Sequence, residues 1–517
     1  MMTTSTSRRA RIVTVALALG VGGALAGVHP ATASSRPTSR ASWPYSNGDL
    51  ANTRDAAGST ITAANVSTLR ERWSFSLTGK AKKNVGGYGT LAATPIVVNG
   101  VVYVQDLHSN VYALSLATGN LEWSYLVNKK ETSGPGPNGV AVVDGKVYGA
   151  TPRTVFALNA NTGHSIWSND KLLKKDQGTF GIQPQVANGR VYLASQYGLV
   201  PGGGVVFALN AATGALLWTF KTVPKGDKGV IAVGLGAGGA WETPLVSADG
   251  SVTFGIGNPY QSLASALTDP SALLYTDSDV NLNAATGKLR WYYQGVTNDF
   301  KDYDMQASPI SANANGVPVV IGGGKMGIVY EINASTGKLI WKTPVGTHNG
   351  HDDDSLKALK GKSKLSVPFT YIPGALGGIL TNMAVAGNTV YVVTCNFAFS
   401  FSKTDQVVGV NVGKKLSGDV EALNLVTGKV EWETKVNGLP LGAATVSNNL
   451  VFTTLFQGEL LALNRSNGAI VYKRQLPRST NSPIAIAGNT VIVPAGGPKY
   501  GAGKGASQIV AYTLAPT

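Results

Sequence analysis

Two short polar stretches hold the side chains best suited to chemistry. In HNGHDDD, which runs from His348 to Asp354, two of the five histidines of the chain lie three residues apart and precede three carboxylates. Imidazole and carboxylate groups bind transition metals, so this stretch is a candidate metal site; a solvated loop is the alternative, because Asn, Gly and Asp are frequent in loops. In NDFKDYD, Asp302 and Asp304 stand two residues apart. Taken alone, this pair is also explained by a solvated loop or a turn cap.

The chain contains one cysteine, which limits the sulfur chemistry it can carry out. Cys395 is the single cysteine, so no disulfide can form within the chain, and no C-x-x-C-H motif is present to carry a c-type haem. The apolar stretch VYVVTCNF favours a buried, unreactive thiol at Cys395. We therefore expect no haem in this chain and a separate electron acceptor as the partner for any redox reaction.

Composition predicts the elements that must position these residues. Of 517 residues, 43% are hydrophobic and 14% are charged, so the chain can bury a sizeable core and is neither disordered nor a coiled coil. Its 64 glycines indicate many turns between short strands, which favours an all-β fold. The net charge is +15, but basic and aromatic residues are not interleaved in runs, so nucleic acid is not an expected partner.

Residues 1–33 are predicted to be a signal peptide. SRRARIV is followed by an apolar run shorter than the ~20 residues of a membrane span, and Ala31 and Ala33 suit cleavage after Ala33. The pair Arg8-Arg9 resembles a twin-arginine signal, and Sec export is the alternative. With no later stretch long enough to span a bilayer, we expect an exported protein without a transmembrane segment, either extracellular or associated with the cell envelope.

One pattern recurs along the chain: an apolar strand, a turn, a second strand and the motif ALxxxTGxxxW. Eight hairpin turns are predicted, at Asn99-Gly100, Asp144-Gly145, Asn188-Gly189, Asp249-Gly250, Asn315-Gly316, Gly387-Asn388, Asn448-Asn449 and Gly488-Asn489. Successive units end in an aromatic residue, at Trp123, Trp167, Trp218, Trp291, Trp341, Trp432 and Tyr472. Each hairpin is interpreted as the middle of a four-stranded unit whose tryptophan is structural.

The two chain ends complement each other. The last unit ends at IVAYTL without a tryptophan strand, whereas RERWSFSL contains Trp73 and has no hairpin before it. Joining these strands leaves no open sheet edge. We predict an eight-bladed β-propeller with tryptophan-docking motifs, whose ring is closed by the N- and C-terminal strands in one blade. The predicted organisation is a signal peptide at 1–33, an N-terminal segment at 34–68 and the propeller at 69–517.

Two insertions and two tryptophans fall outside the repeat. The insertions, at about 258–275 and 346–376, lengthen two units, and long insertions in repeat proteins often lie together over the binding face. The tryptophans that the repeat leaves over are Trp43 and Trp241. Function is expected near these features.

The repeated ALxxxTGxxxW motif resembles the tryptophan-docking motif of the quinoprotein alcohol dehydrogenases, over nearly the whole mature chain. GGAWETPLVSADGSVTFGIGNP is similar to the family segment that places a tryptophan against the quinone and an asparagine on the metal, which implies Trp241 and Asn258. NDFKDYDMQASP resembles the catalytic segment, which implies Asp302 as the base, and an acid at the position of Asp304 accompanies lanthanide use in the family. GGGKMGIVYEIN implies Lys325 as the basic residue that faces the quinone.

The implied site is chemically coherent. Pyrroloquinoline quinone (PQQ) is a flat anionic tricarboxylate that requires an aromatic platform, positive charge and a polarising cation. Ca²⁺ or a lanthanide ion prefers oxygen ligands, which Asn258, Asp302 and Asp304 offer, and the cofactor would complete the shell. In this scheme the cation polarises the quinone while Asp302 takes the alcohol proton.

The chain also departs from the family pattern. Where relatives carry a glutamate metal ligand, the alignment places Gln196, which removes one negative charge from the implied metal site. Ala92 replaces a glutamate near the quinone, and Asn138 stands where an arginine is expected. These changes weaken the expected hold on cofactor and metal.

The leading prediction is an exported PQQ-dependent oxidoreductase that oxidises an alcohol or a sugar-like hydroxyl. The main rival is a non-catalytic propeller that acts as an envelope or extracellular scaffold or binding protein, because the same repeat serves in scaffolds and a fold does not determine function. A lectin-like propeller that binds carbohydrate or polymer is a third alternative. The enzyme prediction requires Trp241, Asn258, Asp302 and Lys325 to converge.

Overall fold

A computed structural model describes residues 41–77, 90–127, 138–174, 177–196, 203–224, 237–268, 271, 273–362, 364–413, 416–496 and 507–515. These residues belong to one unit, Ser39–Thr517. The predicted signal peptide at 1–33 lies outside the described residues. No helix in the described ranges is both long enough and apolar enough to cross a membrane.

Short antiparallel strands dominate the fold. The first half of the chain contains β1 (Leu69–Ser76), β2 (Ile96–Val98), β3 (Val101–Gln105), β4 (Val111–Ser115), β5 (Leu121–Tyr125), β6 (Ala141–Val143), β7 (Lys146–Ala150), β8 (Val155–Asn159), β9 (Ser165–Asn169), β10 (Gln185–Ala187), β11 (Arg190–Ala194), β12 (Val205–Asn210), β13 (Leu216–Lys221), β14 (Leu245–Val246), β15 (Ser251–Gly255), α1 (Leu263–Thr268), β16 (Ser278–Asn283) and β17 (Leu289–Gln294). A 3-10 turn at Val66–Thr68 precedes β1.

The second half of the chain continues in the same style. It contains β18 (Ile310–Ala314), β19 (Val317–Gly323), β20 (Ile328–Asn333), β21 (Leu339–Pro344), α2 (Asp354–Leu359), β22 (Phe369–Tyr371), β23 (Ala384–Ala386), β24 (Thr389–Cys395), β25 (Phe399–Phe401), β26 (Val410–Asn411), β27 (Gly418–Asn424), β28 (Val430–Val436), β29 (Thr445–Ser447), β30 (Leu450–Leu455), β31 (Glu459–Asn464), β32 (Ile470–Gln475), β33 (Ala485–Ala487), β34 (Thr490–Ala495) and β35 (Gln508–Leu514).

The strands form eight four-stranded sheets within the described residues. In chain order, sheet 1 is β2–β5, sheet 2 is β6–β9, sheet 3 is β10–β13, sheet 4 is β14–β17 and sheet 5 is β18–β21. Sheet 6 is β23-β24-β27-β28, sheet 7 is β29–β32, and sheet 8 is β33-β34-β35-β1. Each of the eight predicted hairpin turns lies between the first and second strands of a sheet, so the turn predictions are confirmed. At the first of these turns Asn99 and Gly100 have φ of 52° and 79°, which is why such residues recur there.

The repeat tryptophans join each sheet to the next. Each indole lies against the glycine of the following Thr-Gly or Asn-Gly turn, and its Nε1 donates to a backbone carbonyl beside that turn at 2.7–3.1 Å. The pairs are Trp73 with Gly119, Trp123 with Gly163, Trp167 with Gly214, Trp218 with Gly287, Trp291 with Gly337, Trp341 with Gly428, and Trp432 with Gly468. The predicted structural role of these tryptophans is confirmed.

The chain ends share sheet 8. β1 pairs with β35 from Leu69↔Leu514 to Ser76↔Gln508, as the sequence predicted. Arg474 of β32 donates to the Leu69 carbonyl at 3.0 Å, which links sheet 7 to sheet 8 where a tryptophan is missing. First strands of neighbouring sheets also touch, among them β2 with both β6 and β33.

The N-terminal segment runs along these first strands. Trp43 pairs with Val97 of β2, the Val385 amide of β23 donates to the Thr53 carbonyl, and Arg54 and Ala56 bond to Val446 of β29. The Arg54 side chain is fully buried and donates to Ala444, Thr445 and Ile484. This segment therefore ties together sheets that are far apart in sequence.

The two insertions meet in one small layer. Helix α1 contacts α2, and the Ala264 amide of α1 donates to the Thr404 carbonyl at 2.7 Å. A three-stranded sheet, β22-β25-β26, lies in the same region of sequence. We call α1, α2 and this sheet the cap. Cys395 is buried, as predicted, in a hydrophobic cluster that includes residues of the cap, and burial raises the pKa of its thiol.

Candidate active site

Side chains from many sheets line one cavity because of a simple topological rule. In an antiparallel hairpin, the start of the first strand and the end of the second strand lie side by side at the same end of the sheet. Trp241 precedes β14, Tyr260 follows β15, Asp304 precedes β18 and Lys325 follows β19. Sheets 4 and 5 therefore present all four residues at the same end of their strands. Together with residues before β2, β10, β23, β29 and β33, they line a cavity of about 390 Å³. This volume is within the range of small-molecule sites.

A compact ionic group stands at one side of the cavity. Lys325 Nζ lies 2.8 Å from Asp302 Oδ2 and 2.6 Å from Asp304 Oδ2. The Asn258 amide donates to Asp302 Oδ1 and to Asp304 Oδ1, the latter at 2.7 Å, and the backbone N–H of Asn258 also donates to Asp304 at 2.8 Å. All four side chains are largely buried.

Trp241 borders this ionic group. A Cβ atom on Gly257 would lie 2.8 Å from both the Trp241 ring and Asp304 Oδ1, so glycine at this position lets the indole and the carboxylate approach each other. Asp302 has φ of 65° and Tyr260 has φ of 51°, conformations that cost energy in residues with side chains. Such backbone strain concentrates at functional sites.

Burial sets the electrostatics of the group. Burial raises the pKa of the Asp302 carboxyl to about 7, while the adjacent Lys325 acts in the opposite direction. Burial by itself would lower the pKa of Lys325, but Asp302 and Asp304 raise it above its ordinary value. Lys325 therefore stays protonated and supports the ionised form of Asp302.

Of the six residues predicted from the sequence, Trp241, Asp304, Lys325 and Gln196 line the cavity. Asn258 and Asp302 are not among the lining residues and join the group through their contacts with Asp304 and Lys325. Ala92 also lines the cavity. Asn138, which stands where the family pattern has an arginine, is buried and is not among the lining residues.

Several lining residues were not predicted. Glu242 follows Trp241 directly, and burial raises the pKa of its carboxyl to about 8, against a hydrogen bond from Asn382 and the charge of Arg54. Gln183 also faces the cavity. Adjacency to Trp241 could have identified Glu242, whereas Asn382 and Gln183 lie in stretches without a recognisable motif.

The lining fits a flat anionic quinone, and the donor set suits a hard cation. Trp241 contributes an aromatic ring, Lys325 contributes positive charge, and Gln183, Asn382 and Gln196 contribute amides. Asp302 and Asp304 bring carboxylate oxygens together, whereas Asn258 turns its NH2 group toward them and its Oδ1 accepts the Tyr260 backbone N–H. The described residues include no set of three carboxylate, imidazole or thiolate groups placed to hold a metal. A cation at this point would therefore need oxygen atoms from the cofactor or from water.

The histidine stretch serves the fold. His348 Nδ1 lies 2.7 Å from Asp352 Oδ1, and its Nε2 faces the carbonyls of Gly327 and Val345. His351 Nδ1 lies 2.8 Å from Asp354. Because these ring nitrogens already have partners and no metal-binding group of three occurs in the described ranges, the structure does not support the transition-metal alternative.

Comparison with known proteins places this arrangement in a family. The sequence profile described as "Glucose/ethanol/alcohol dehydrogenase, beta-propeller domain" matches residues 43–142 and 184–347, about half of the chain. A second profile, "Outer membrane protein assembly factor BamB", matches residues 127–237 and 416–513.

Individual relatives agree with the first profile. The chain is 26% identical to the quinoprotein alcohol dehydrogenase PedH of Pseudomonas putida, over 80% of this chain and 78% of that protein. It is 29% identical to the dehydrogenase subunit of the alcohol dehydrogenase (quinone) of Gluconobacter oxydans, over 62% of this chain, and spans only 47% of that subunit.

Solved structures share the propeller fold. The quinohemoprotein alcohol dehydrogenase of Comamonas testosteroni superposes with a TM-score of 0.77 at 23% identity, over 92% of this chain and 81% of that one. A europium-containing methanol dehydrogenase gives 0.76 at 19% identity, over 92% and 99% of the two chains. The chain belongs to the family of PQQ-dependent alcohol dehydrogenase-like β-propeller proteins.

Proposed function

We propose that this protein oxidises an alcohol or a sugar-like hydroxyl with PQQ and a Ca²⁺ or lanthanide ion. The observation that carries the proposal is the convergence of Asp302, Lys325 and Asn258 beside a cavity walled by Trp241. A catalytic base must be held within reach of its substrate, ionised and correctly oriented. Lys325 and Asn258 hold both oxygens of Asp302 in this way.

Each residue has a distinct role in the proposal. Bound PQQ supplies the acceptor for the hydride, and the cation would be held by Asn258, Asp302, Asp304 and Gln196. The Asp302 carboxylate accepts the hydroxyl proton of the alcohol, which leaves a carbonyl product. Trp241 presents its ring face to the cofactor plane, and Lys325 faces the quinone and steadies Asp302. The electrons then pass to a separate acceptor.

We also propose that the ring has eight blades, over residues 69–517, with residues 34–68 as an N-terminal entry segment. This is supported by the eight four-stranded sheets, by the tryptophan contacts that link consecutive sheets, and by β1 completing sheet 8. The export proposal depends on residues 1–33, and N-terminal sequencing of protein recovered outside the cytoplasm would test the cleavage after Ala33.

A binding and turnover experiment tests the function. Cofactor-free protein is titrated with PQQ in the presence of Ca²⁺ or La³⁺, while quinone absorbance and melting temperature are followed. We expect saturable, metal-dependent stabilisation, since a ligand that binds the native state raises its stability. Dye reduction with a panel of alcohols and sugars then identifies the substrate class.

Three variants sharpen the result. Asp302→Asn should retain PQQ binding and lose about 10²–10⁴-fold in kcat, which is the usual contribution of a general base. Trp241→Ala should bind PQQ about 10–100-fold more weakly, a loss of roughly 1.4–2.7 kcal/mol. Asp249→Asn, in an exposed turn of sheet 4, is the matched control and should change neither property.

The scaffold alternative has a specific observation in its favour. The BamB profile matches parts of both halves of the chain, and BamB of Moraxella catarrhalis superposes with a TM-score of 0.52 at 14% identity. Failure of PQQ to bind with either cation, with intact folding, would support that alternative and would overturn the enzyme proposal.

A further inference from the structure

The residue before the proposed base is an unusual buried lysine. Lys301 is fully buried, and its Nζ lies 2.8 Å from Asp354 Oδ2, whose side chain is 6% exposed. The same ammonium donates to the His351 carbonyl and lies 5.4–5.6 Å from the ring centres of Phe300, Tyr303 and Tyr371. Lysine is rarely buried, and burying an ion pair is an inefficient way to stabilise a fold.

The chain alternates between two sides in this segment. Lys301 pairs with Asp354 of α2 in the cap, and the Tyr303 hydroxyl donates at 2.5 Å to the carbonyl of Pro373, two residues beyond the cap strand β22. Asp302 and Asp304 point to Lys325 at the cavity. The side chains that flank Asp302, those of Lys301 and Tyr303, therefore both form their bonds on the side opposite to Lys325.

The backbone of the segment is fastened as well. The Asp299 carboxylate accepts the N–H groups of Lys301 and Tyr303, at 2.9 and 2.8 Å. The Asn298 side chain donates to the Ala266 carbonyl of α1 at 3.0 Å and accepts a bond from Gln261. Both helices of the cap therefore contact the segment that carries Asp302.

We propose that Lys301 is a positioning residue for Asp302, and that its ion pair with Asp354 makes the cap the element that fixes the proposed base. The inference rests on the proposed function, because it takes Asp302 as the base. The left-handed conformation of Asp302, with φ of 65°, requires support from its flanks, and Lys301 supplies that support from one side.

The test separates position from folding. Lys301→Met and Asp354→Asn each remove one half of the pair, and the double variant Lys301→Met/Asp354→Asn removes both charges while keeping a polar side chain that can bond to the His351 ring. Such replacements of buried ion pairs often preserve stability. Melting temperature, PQQ affinity, KM, kcat and the kinetic isotope effect with an alcohol deuterated at the carbinol carbon are measured for each, with Arg290→Met, which removes an exposed ion pair, as the control.

We expect the double variant to keep the melting temperature and PQQ affinity of the wild type while kcat falls about 10–100-fold, because small displacements of catalytic groups have effects of this size. The isotope effect should rise, since bond cleavage becomes more rate-limiting. An active wild type with unchanged kcat and isotope effect in the double variant would overturn the positioning role alone. A wild type that neither binds PQQ nor oxidises any alcohol would overturn the proposed function, and this inference with it.

Discussion

One ammonium group serves two carboxylates at the candidate site. Lys325 contacts Asp302 and Asp304 at 2.8 and 2.6 Å, and Glu242 lines the same cavity. Burial raises the pKa values of Asp302 and Glu242 to about 7 and about 8, so ionising both of them beside Asp304 is costly without added positive charge. A bound cation would favour the ionised carboxylates, which is a physical reason to test for a metal here.

Gln196 offers a direct test of the metal site. Its side chain is 2% exposed and lines the cavity. Gln196→Glu keeps the shape and adds one negative charge, so we expect the affinity for La³⁺ to rise about tenfold or more, roughly 1.4 kcal/mol. Titration of the cofactor-free protein with Tb³⁺, followed by luminescence and competed with La³⁺, measures the change.

A control for this prediction lies outside the cavity. Gln177 accepts a bond from the Lys174 backbone, and Gln177→Glu adds the same charge while keeping that acceptor. It should leave La³⁺ affinity unchanged. Equal affinity in wild type and Gln196→Glu would remove Gln196 from the proposed ligand set.

At the scale of elements, the contact that recurs with the repeat joins the tryptophan of one sheet to the turn glycine of the following sheet. Sheet 3 contains two glycines with the same φ of 70°, which makes a matched pair. A Cβ on Gly214 would lie 2.4 Å from the Trp167 ring, whereas a Cβ on Gly189 would meet nothing within 4 Å.

The two substitutions should therefore differ in stability. Gly189→Ala should lower the free energy of unfolding by about 1–2 kcal/mol, which is the cost of placing a side chain in the left-handed conformation. Gly214→Ala should cost about 1–3 kcal/mol more, because it also displaces the indole that joins sheet 2 to sheet 3. Urea unfolding monitored by tryptophan fluorescence checks this; equal losses would mean that the docking contact adds nothing to stability.

The sequence repeat explains why the strands and turns could be predicted, whereas the buried residues that join them, such as Arg54 and Lys301, could not. Turn residues such as Asn99-Gly100 and indoles such as Trp123 recur at fixed places, so each occurrence strengthens the next. The path of residues 43–61 has no period, and nothing in ANTRD indicates that Arg54 is fully buried. Burial of Lys301 was equally hidden, because its partner Asp354 lies in a distant insertion.

The site was predicted for a different reason. Trp241, Asn258, Asp302 and Lys325 were identified through motif resemblance, and sequence spacing alone leaves their distances open. Sheet topology then brings them together, because each lies in a connecting segment at the same end of sheet 4 or sheet 5. Lining the cavity is a stricter criterion than convergence, since Asn138, Asn258 and Asp302 are all absent from the lining.

At the scale of the whole molecule, buried carboxyls make stability depend on pH. Burial raises the pKa values of Glu242, Asp279 and Glu421 to about 8, above their ordinary values of 3.8–4.5. Between these limits the folded state binds more protons than the unfolded state. The free energy of unfolding should therefore fall as pH rises from about 4.5 through 8, by about 2 kcal/mol or more.

Guanidinium unfolding of the metal-free protein from pH 5 to pH 9 measures this dependence. Glu242→Gln removes one of the three groups and should flatten the curve without changing its sign. A transition midpoint that stays constant or rises across this range would contradict the prediction, and would mean that these carboxyls are solvated in solution.

The pairing of β1 with β35 also imposes an order on biosynthesis. β1 leaves the ribosome before its partner strand β35, which lies more than four hundred residues later. Until β35 has been synthesised, Leu69–Ser76 lacks the neighbouring strand to which it bonds, and sheet 8 stays incomplete. A nascent or prematurely terminated chain thus carries an unpaired strand edge, a known seed for aggregation.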